Sequence, residues 1–246
     1  MPDAQNCLIE LLPRKERLRL LALCEPVDLV FADVLSEAGE RTRYVYFPVD
    51  GFISLLTRID GEDALEVGMV GREGMLGVQL ALGVRIAPLL ALVQGAGSAW
   101  RVGASAFMRE LAESAALRKE LSRYAYVLMQ QLATSAGCLR SHEIGPRLAR
   151  WLLMSQDRAH ASTFPVTQEF LAYMLGVRRV GVTRAASELQ RAKHIEYHRG
   201  EMTVRDRAGL EETACCCYAA DRKTYTEVLE GSSEFVAKAG GRDRKS

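Results

Sequence analysis

The chain has 246 residues, of which 48% are hydrophobic and 26% charged, a composition typical of a globular protein with a sizeable core. The formal net charge is only +1, which excludes a general polyanion-binding surface, so any nucleic-acid contact must be local. No apolar run approaches the ~20 residues that span a bilayer, and residues 1–6 do not resemble a signal peptide. We therefore expect a cytoplasmic protein of one or two domains.

The N-terminal part of the chain begins as a helix and continues as strands. Apolar positions between Cys7 and Cys24 predict an amphipathic cover helix that is interrupted at Pro13. Residues 27–102 alternate short apolar segments with glycine-rich turns, one of them at 48–51, which predicts a β-barrel or β-roll. The predicted strands are Arg43–Phe47, Phe52–Ile59, Ala64–Val70, Leu89–Val93 and Ser98–Val102.

Helices follow the strands. Residues 104–113 begin the helical part, and a long helix from Leu117 to about Arg140 contains no proline and no glycine before Gly137. Apolar and small residues recur along it at intervals of four and three, which indicates a heptad seam between two copies of the chain. A helix that packs on its own domain remains the alternative. The seam residues are Leu121, Ala125, Leu128, Leu132, Ser135 and Leu139.

Residues 167–191, TQEFLAYMLGVRRVGVTRAASELQR, predict two short helices joined by a tight turn. Thr167 is a favourable N-cap, and Ala172 allows the second helix to cross close to the first. Gly176 stands where the turn needs a positive φ. Val182, Ala185 and Leu189 would face the first helix. This pattern is typical of a helix-turn-helix, although an ordinary helical hairpin favours similar residues.

The context of this motif favours DNA binding. A helix over 147–158 and an extended link at 163–166 precede it, and two brief strands around Arg199-Gly200 follow it as a wing. Lysine and arginine outnumber acids by six to three between residues 167 and 199, which gives that segment a local charge of +3. The basic residues are Arg178, Arg179, Arg184, Arg191, Lys193 and Arg199, and the acids are Glu169, Glu188 and Glu196.

The chain resembles the Crp–Fnr family of bacterial transcription regulators from about residue 25 to 218. The resemblance is carried by YVYFPVDGFISLL (44–56), EVGMVGREGMLG (66–77), the long helix and residues 166–211. It implies an α+β architecture: a β-roll like a cyclic-nucleotide-binding domain, a long dimerisation helix and a C-terminal winged helix-turn-helix. The implied partners are double-stranded DNA, a second copy of the chain and RNA polymerase.

The resemblance also assigns roles to residues. The base-reading positions fall on Arg179, Val180 and Arg184, where each arginine suits a guanine and Val180 suits a thymine methyl group. The expected contacts to the DNA backbone are Thr167, Gln168, Arg178, Thr183, Ser187, Arg191, His198 and Arg199.

The expected effector pocket departs from the pattern of family members that bind cyclic nucleotides. Gly71, Glu73 and Gly74 match the start of their phosphate cassette, but Leu89 and Leu90 stand where an arginine and its polar neighbour belong. A phosphodiester held against two leucines would be desolvated without a charged partner. We therefore expect an effector other than a cyclic nucleotide, or a pocket that binds nothing.

Other candidate sites have weaker support. The adjacent Cys215, Cys216 and Cys217 cannot all face one ion, and no second cysteine pair stands at zinc spacing, so free thiols and no metal site or cofactor are expected. Four isolated or wing-borne histidines form no catalytic set, so an enzyme is not expected. These histidines are His142, His160, His194 and His198.

The sequence thus predicts a homodimeric, sequence-specific DNA-binding regulator. The alternative is a ligand- or redox-sensing regulator whose winged helix contacts a protein partner. The expected domains are a cover helix and β-roll over 1–113, a dimerisation helix over 114–143, a winged helix-turn-helix over 144–211, and a C-terminal helix with a disordered tail over 212–246.

Overall fold

The structure, a computed structural model, describes residues 5–58, 64–159 and 161–231. The expected tail beyond residue 231, His160 and the end of the predicted strand at Ile59 lie outside these ranges. The N-terminal elements are α1 (Cys7–Glu10), α2 (Arg14–Leu21), β1 (Glu25–Leu29), β2 (Val34–Ser36), β3 (Tyr44–Thr57), β4 (Leu65–Val70), a 3-10 turn (Val78–Leu82), β5 (Leu90–Gly103) and α3 (Ala104–Glu113). The C-terminal elements are α4 (Ala115–Ser141), α5 (Ile144–Ala159), β6 (Thr163–Pro165), α6 (Gln168–Leu175), α7 (Arg179–Arg191), β7 (Ile195–His198), β8 (Glu201–Val204), α8 (Arg207–Thr213), α9 (Cys217–Tyr225) and a π-turn (Thr226–Glu230).

The N-terminal sheet is antiparallel, with strand order β1-β5-β3-β4 and β2 paired to β5. The long strands β3 and β5 pair from Tyr44 opposite Gly103 to Leu56 opposite Leu90. The cover helices bury Leu8, Ile9 and Leu20 against this roll. The predicted α+β architecture, with a β-roll, a long helix and a winged helix-turn-helix, is confirmed.

The predicted turn at residues 48–51 is wrong. The chain stays extended there within β3, and the register shifts at three successive steps between Pro48 and Ile53. Gly51 has φ +74°, and a Cβ atom on it would lie 2.3 Å from the Gly95 carbonyl oxygen. Proline and glycine therefore form a bulge against β5 rather than a reversal.

The prediction of two separate strands at Leu89–Val93 and Ser98–Val102 is wrong for the same reason. Residues 90–103 form one strand, β5, and Leu89 precedes it. Gly95 and Gly97 do not end it. Added Cβ atoms there would lie 2.5 Å from the Phe52 ring and 2.3 Å from the Asp50 carbonyl oxygen. Glycine at these positions permits close packing of two backbones.

The C-terminal part has the predicted order of helix, link, two helices and hairpin. β6, β8 and β7 form a three-stranded antiparallel sheet, and the hairpin reverses at Arg199 and Gly200, both of which have positive φ. The helices α5, α6 and α7 bury their apolar faces in one core, which includes Leu148, Leu171 and Val182. This core fixes the orientation of α7 relative to the wing.

Candidate nucleic-acid interface and sensor cavity

The helix-turn-helix has the predicted local geometry. The Thr167 hydroxyl oxygen accepts a hydrogen bond from the Phe170 N–H at 3.1 Å and caps α6. Gly176 ends α6 in the left-handed region, with φ +60°. The turn is closed by two backbone hydrogen bonds: the Gly176 N–H donates to the Tyr173 carbonyl, and the Val177 N–H donates to the Ala172 carbonyl. The turn therefore directs α7 across α6.

The two faces of α7 differ sharply in burial. Val182, Ala185, Ala186 and Leu189 are buried against α5 and α6, as the sequence predicts. The opposite face is exposed: the Arg184 side chain is 84% exposed and Val180 is 73% exposed. An exposed valine in the middle of a basic face has no packing role, so this face is suited to contact with another molecule.

Most of the predicted contact residues are exposed. Gln168 is half-buried, and the others are exposed: Thr167, Arg178, Arg179, Val180, Thr183, Arg184, Ser187, Arg191, His198 and Arg199. Thr183 joins the two helices, since its hydroxyl group donates to Gln168 Oε1 at 2.6 Å. Arg184 Nε donates to Glu188 Oε1 at 3.2 Å on the helix surface.

The wing is attached through its base. His194 Nδ1 lies 3.3 Å from Asp206 Oδ2, and Asp206 also caps α8 by accepting from the Gly209 N–H at 3.0 Å. These hydrogen bonds lower the pKa of the Asp206 carboxyl group, with the Gly209 contribution first. His194 thus has a structural contact, whereas His198 at the hairpin tip is exposed.

The five residues of the expected effector pocket do not form one pocket. Glu73 forms an ion pair with Arg158 of α5, with 2.7 Å between Arg158 Nη2 and Glu73 Oε1. The neighbouring Gly71 packs against the Arg158 side chain, and Gly74 packs against Tyr124 of α4. Leu89 lines a different cavity, and Leu90 is buried in the core with α5. The pocket expected from the sequence is therefore divided between two regions of the roll.

The cavity that includes Leu89 lies between the roll and α4 and has a volume of about 480 Å³. None of the described residues that line it is charged. Its polar groups include Thr42, Gln79 and Ser122, and its apolar walls include Met75, Leu128 and Leu132. An uncharged, largely apolar cavity of this size suits an uncharged organic ligand and provides no counter-charge for a phosphate.

The seam expected on α4 needs correction. Leu121 is 1% exposed and packs in the core of its own roll, and the buried Ser135 accepts a hydrogen bond from Arg150 at 3.2 Å. Ala125, Leu128, Leu132 and Leu139 are half-buried. Leu121 and Ser135 therefore cannot contribute to a surface between copies, because their own chain already covers them.

A different face of α4 is exposed. It carries residues again at intervals of four and three: Ser122, Tyr126, Met129, Ala133, Ala136 and Arg140. Tyr126 is 49% exposed and Met129 57%. The heptad spacing is present, one helical position away from the expected seam.

One partly buried acid connects the two parts of the chain. Glu66 of β4 accepts hydrogen bonds from Trp151 Nε1 of α5 at 2.9 Å and from the Ser54 hydroxyl group at 2.5 Å. Burial raises the pKa of Glu66 to about 7, and the two hydrogen bonds oppose that rise. Gly176 adds a further contact, because a Cβ atom on it would lie 2.7 Å from Leu65 Cδ1 of β4. The helix-turn-helix thus packs directly on the roll.

The structure also gathers four residues that the sequence analysis did not combine. Cys138 and His142 at the end of α4 lie beside Cys215, which stands between α8 and α9, and Cys217, the first residue of α9. His142, expected to be isolated, has Nδ1 3.7 Å from Cys217 Sγ. The hydrogen bond between Cys138 and Cys215 lowers the pKa of Cys138 and raises that of Cys215. A Cys-x3-His pair on one helix turn together with Cys-x-Cys was the available signal in the sequence.

Comparison with known proteins supports this architecture. Residues 146–213 match the model of the Crp-like helix-turn-helix domain. No curated protein sequence matches the chain at a significant level. Within the described residues, no helix is both long enough and apolar enough to cross a membrane.

Solved structures with low sequence identity share the fold across most of the chain. FixK2 from Bradyrhizobium japonicum has a TM-score of 0.64 at 16% identity and covers 78% of this chain and 98% of its own. The c-di-GMP responsive global regulator CLP from Xanthomonas campestris has a TM-score of 0.63 at 14% identity, with 78% and 99% covered. A CRP-family transcriptional regulator from Thermus thermophilus has a TM-score of 0.60 at 18% identity, with 76% and 96% covered.

The expected resemblance is therefore confirmed. Residues 146–213 match the Crp-like helix-turn-helix domain, and about three quarters of the chain share the fold of solved structures that include a CRP-family transcriptional regulator.

Proposed function

We propose that this protein is a sequence-specific, DNA-binding transcription regulator that acts as a homodimer. The observation that carries the proposal is the exposed face of α7, where Arg179, Val180 and Arg184 stand on a rigid helix with its other face buried. A helix of this width enters the major groove of B-DNA, where the edges of the bases are accessible.

Base recognition follows from the chemistry of this face. Arg179 and Arg184 each present a guanidinium that suits the O6 and N7 acceptors of guanine. Val180 presents a branched apolar group that suits the methyl group of thymine. Glu188 does not block Arg184, since an exposed ion pair between residues four apart is worth only about 0.3–0.5 kcal/mol.

The backbone contacts surround this reading face. Thr167 and Gln168 begin α6, where N–H groups and the helix dipole favour a phosphate. Gln168 Oε1 accepts from Thr183, which leaves the amide N–H groups of Gln168 as donors to the DNA backbone. The remaining expected backbone contacts are Arg178, Ser187, Arg191, His198 and Arg199.

The second copy would contact the exposed face of α4. Tyr126, Met129, Ala133 and Ala136 provide apolar and small side chains in heptad spacing along nearly three turns. Two such helices in contact would bury an apolar face that is otherwise exposed. Tyr126 and Met129 also line the uncharged cavity, so a ligand there would touch the surface between the copies.

The uncharged cavity between the roll and α4, which we call the sensor cavity, favours an effector that is not a cyclic nucleotide. Leu89 lines it, and Glu73, the acid of the expected phosphate cassette, is bound to Arg158 elsewhere. A small, uncharged, mostly apolar effector would meet favourable walls. Its binding would change the packing of α4 against the roll. In the dimer, that change would alter the distance between the two winged helix-turn-helix domains.

Selection of bound duplexes from a random DNA pool tests this function. The expected result is two half-sites related by a twofold axis and separated by about one helical turn. Binding should weaken steeply with added salt, because phosphate contacts release counterions. Absence of any enriched sequence, together with binding of a protein partner that is insensitive to salt, would favour the alternative in which the winged helix contacts protein.

A further inference from the structure

A cluster of soft metal-ligating side chains lies away from both the reading face and the sensor cavity. Cys138 and His142 are one helical turn apart where α4 ends, so both project from the same side of that helix. Cys215 lies on the segment that joins α8 to α9, and Cys217 is the first residue of α9. The Cys215 N–H donates to the Pro146 carbonyl at 3.3 Å, which holds this segment against the start of α5.

The ligand atoms of the four side chains converge. Cys138 Sγ lies 3.5 Å from Cys215 Sγ, Cys217 Sγ lies 3.7 Å from His142 Nδ1, and all four atoms lie within 4.8 Å of one another. A tetrahedral zinc ion with bonds of about 2.3 Å to sulfur and 2.0–2.1 Å to nitrogen separates its ligand atoms by roughly 3.5–3.8 Å. Shifts of an ångström or less at the outer pair would complete that geometry.

We propose that Cys138, His142, Cys215 and Cys217 form a zinc site with three thiolate ligands and one imidazole ligand. The site closes around the ion with no position left for a substrate, so its role is structural. It joins the end of α4 to the segment behind the winged helix. Zinc there would fix α9 and the DNA-binding domain to the long helix.

The surroundings suit such a site. The three cysteines are buried, with 2% exposure at Cys138, 7% at Cys215 and 8% at Cys217, and none forms a disulfide. Three thiolates and one Zn²⁺ carry a net charge of −1. The buried Arg147 and Arg150 share a small cavity with Cys138 and offer compensating positive charge. Asp221 neutralises Arg150, whereas Arg147 donates to the Leu175 carbonyl and forms no ion pair with an acid among the described residues.

Three other states are less compatible with this geometry. A disulfide between Cys138 and Cys215 would not account for the close approach of His142 to Cys217. A four-iron cluster places its ligands on four separate irons and needs a wider set. Free thiols alone would not require the imidazole. Cys216 of the same triplet is exposed and lies against the other ring nitrogen of His142, with 3.8 Å between Cys216 Sγ and His142 Nε2, so it is outside the set that converges on Nδ1.

The test uses the full chain, purified under reducing conditions without added tags that bind metal. We expect about one Zn²⁺ per chain by elemental analysis, and Co²⁺ should produce the absorption of a tetrahedral, thiolate-ligated ion. Cys138→Ser, His142→Gln and Cys217→Ser should each weaken zinc binding by more than the roughly 100-fold effect of residues outside the ligand shell. Circular dichroism would confirm that each variant is folded.

Cys216→Ser is the matched control, since Cys216 belongs to the same triplet but is exposed. It should retain the zinc content and the cobalt spectrum. Wild-type protein that stays metal-free after reduction and incubation with Zn²⁺ would overturn the proposal, as would a wild-type chain that forms a Cys138–Cys215 disulfide and takes up no metal once reduced. Zinc loss in Cys216→Ser, with retention in Cys217→Ser, would show that the ligands are wrongly assigned.

Discussion

Arg158 of α5 donates through Nε and Nη2 to Glu73 Oε1 at 2.8 and 2.7 Å, and so joins the helix-turn-helix half of the chain to the roll. Both side chains are largely buried, with 11% and 20% exposure. Glu73 is the acid that the resemblance to Crp–Fnr regulators assigned to a ligand pocket. Its partner here is an arginine of the same chain, so it is a contact between domains.

Loss of one partner from this ion pair should be costly. Arg158→Met leaves the Glu73 carboxylate buried without its cation, and we expect a loss of about 3 kcal/mol in the free energy of unfolding. Glu73→Gln in the same chain should recover part of it, because no unpaired charge remains. Denaturant unfolding measures both effects. Arg205→Met is the control: its pair with Glu196 is exposed and should contribute no more than about 1 kcal/mol. Equal losses in the two single variants would contradict this account.

Arg184→Ala should alter sequence preference rather than general affinity. Loss of a bidentate contact to guanine should reduce discrimination at one base pair by about 1–3 kcal/mol. Footprinting or competition with single-base variants of the selected operator measures this. Arg43→Ala removes an equal charge from an exposed site on the roll and should leave the preference unchanged. An unaltered base preference in Arg184→Ala would show that this side chain does not read bases.

Ala133→Glu should weaken the dimer. Ala133 stands on the exposed heptad face of α4, and a carboxylate there would meet its symmetry-related copy across the surface between the two helices. Sedimentation analysis over a range of concentrations should show a shift toward monomer. Ala112→Glu makes the same substitution at an exposed position of α3 and should leave the association unchanged. If only Ala112→Glu dissociates the protein, the face is wrongly assigned.

Glu66 should make stability depend on pH near neutrality. Its pKa of about 7 in the folded state exceeds the ordinary 4.5, so the folded protein keeps a proton that the unfolded chain loses. Stability should therefore decline as pH rises from about 4.5 to about 7, by up to about 3 kcal/mol from this group. Glu66→Gln should remove that decline, since its amide does not titrate. If the free energy of unfolding changes with pH equally in the wild type and in Glu66→Gln, Glu66 is not the group responsible.

Cyclic AMP at millimolar concentration should not raise the melting temperature. A ligand at 100 times its Kd stabilises a folded protein by about 2.7 kcal/mol, which a thermal shift assay detects readily. The uncharged walls of the sensor cavity give a phosphodiester no partner. A clear, saturable increase in melting temperature would contradict this reading of the cavity.

The local elements were predictable because their signals lie close together in the chain. Helix α3 was expected over residues 104–113 and occurs there, and the Thr167 cap and the Gly176 turn were likewise anticipated. Capping, positive φ and helical periodicity depend on neighbours within a few residues. The sequence pattern predicts β3 and β5 each as two strands, because glycine and proline are typical of turns. The same residues also permit a bulge within one strand. The strand opposite decides between a bulge and a turn.

By itself, the sequence determined the α+β architecture, the order of the winged helix-turn-helix and the placement of arginines on one face of α7. Tertiary structure alone decided which face of α4 is exposed, because a heptad pattern does not show which side the same chain will cover. It also decided that Glu73 meets Arg158, and that Cys138 lies beside Cys215 across 77 residues of chain. Such contacts depend on how distant segments pack, and no local pattern encodes that packing.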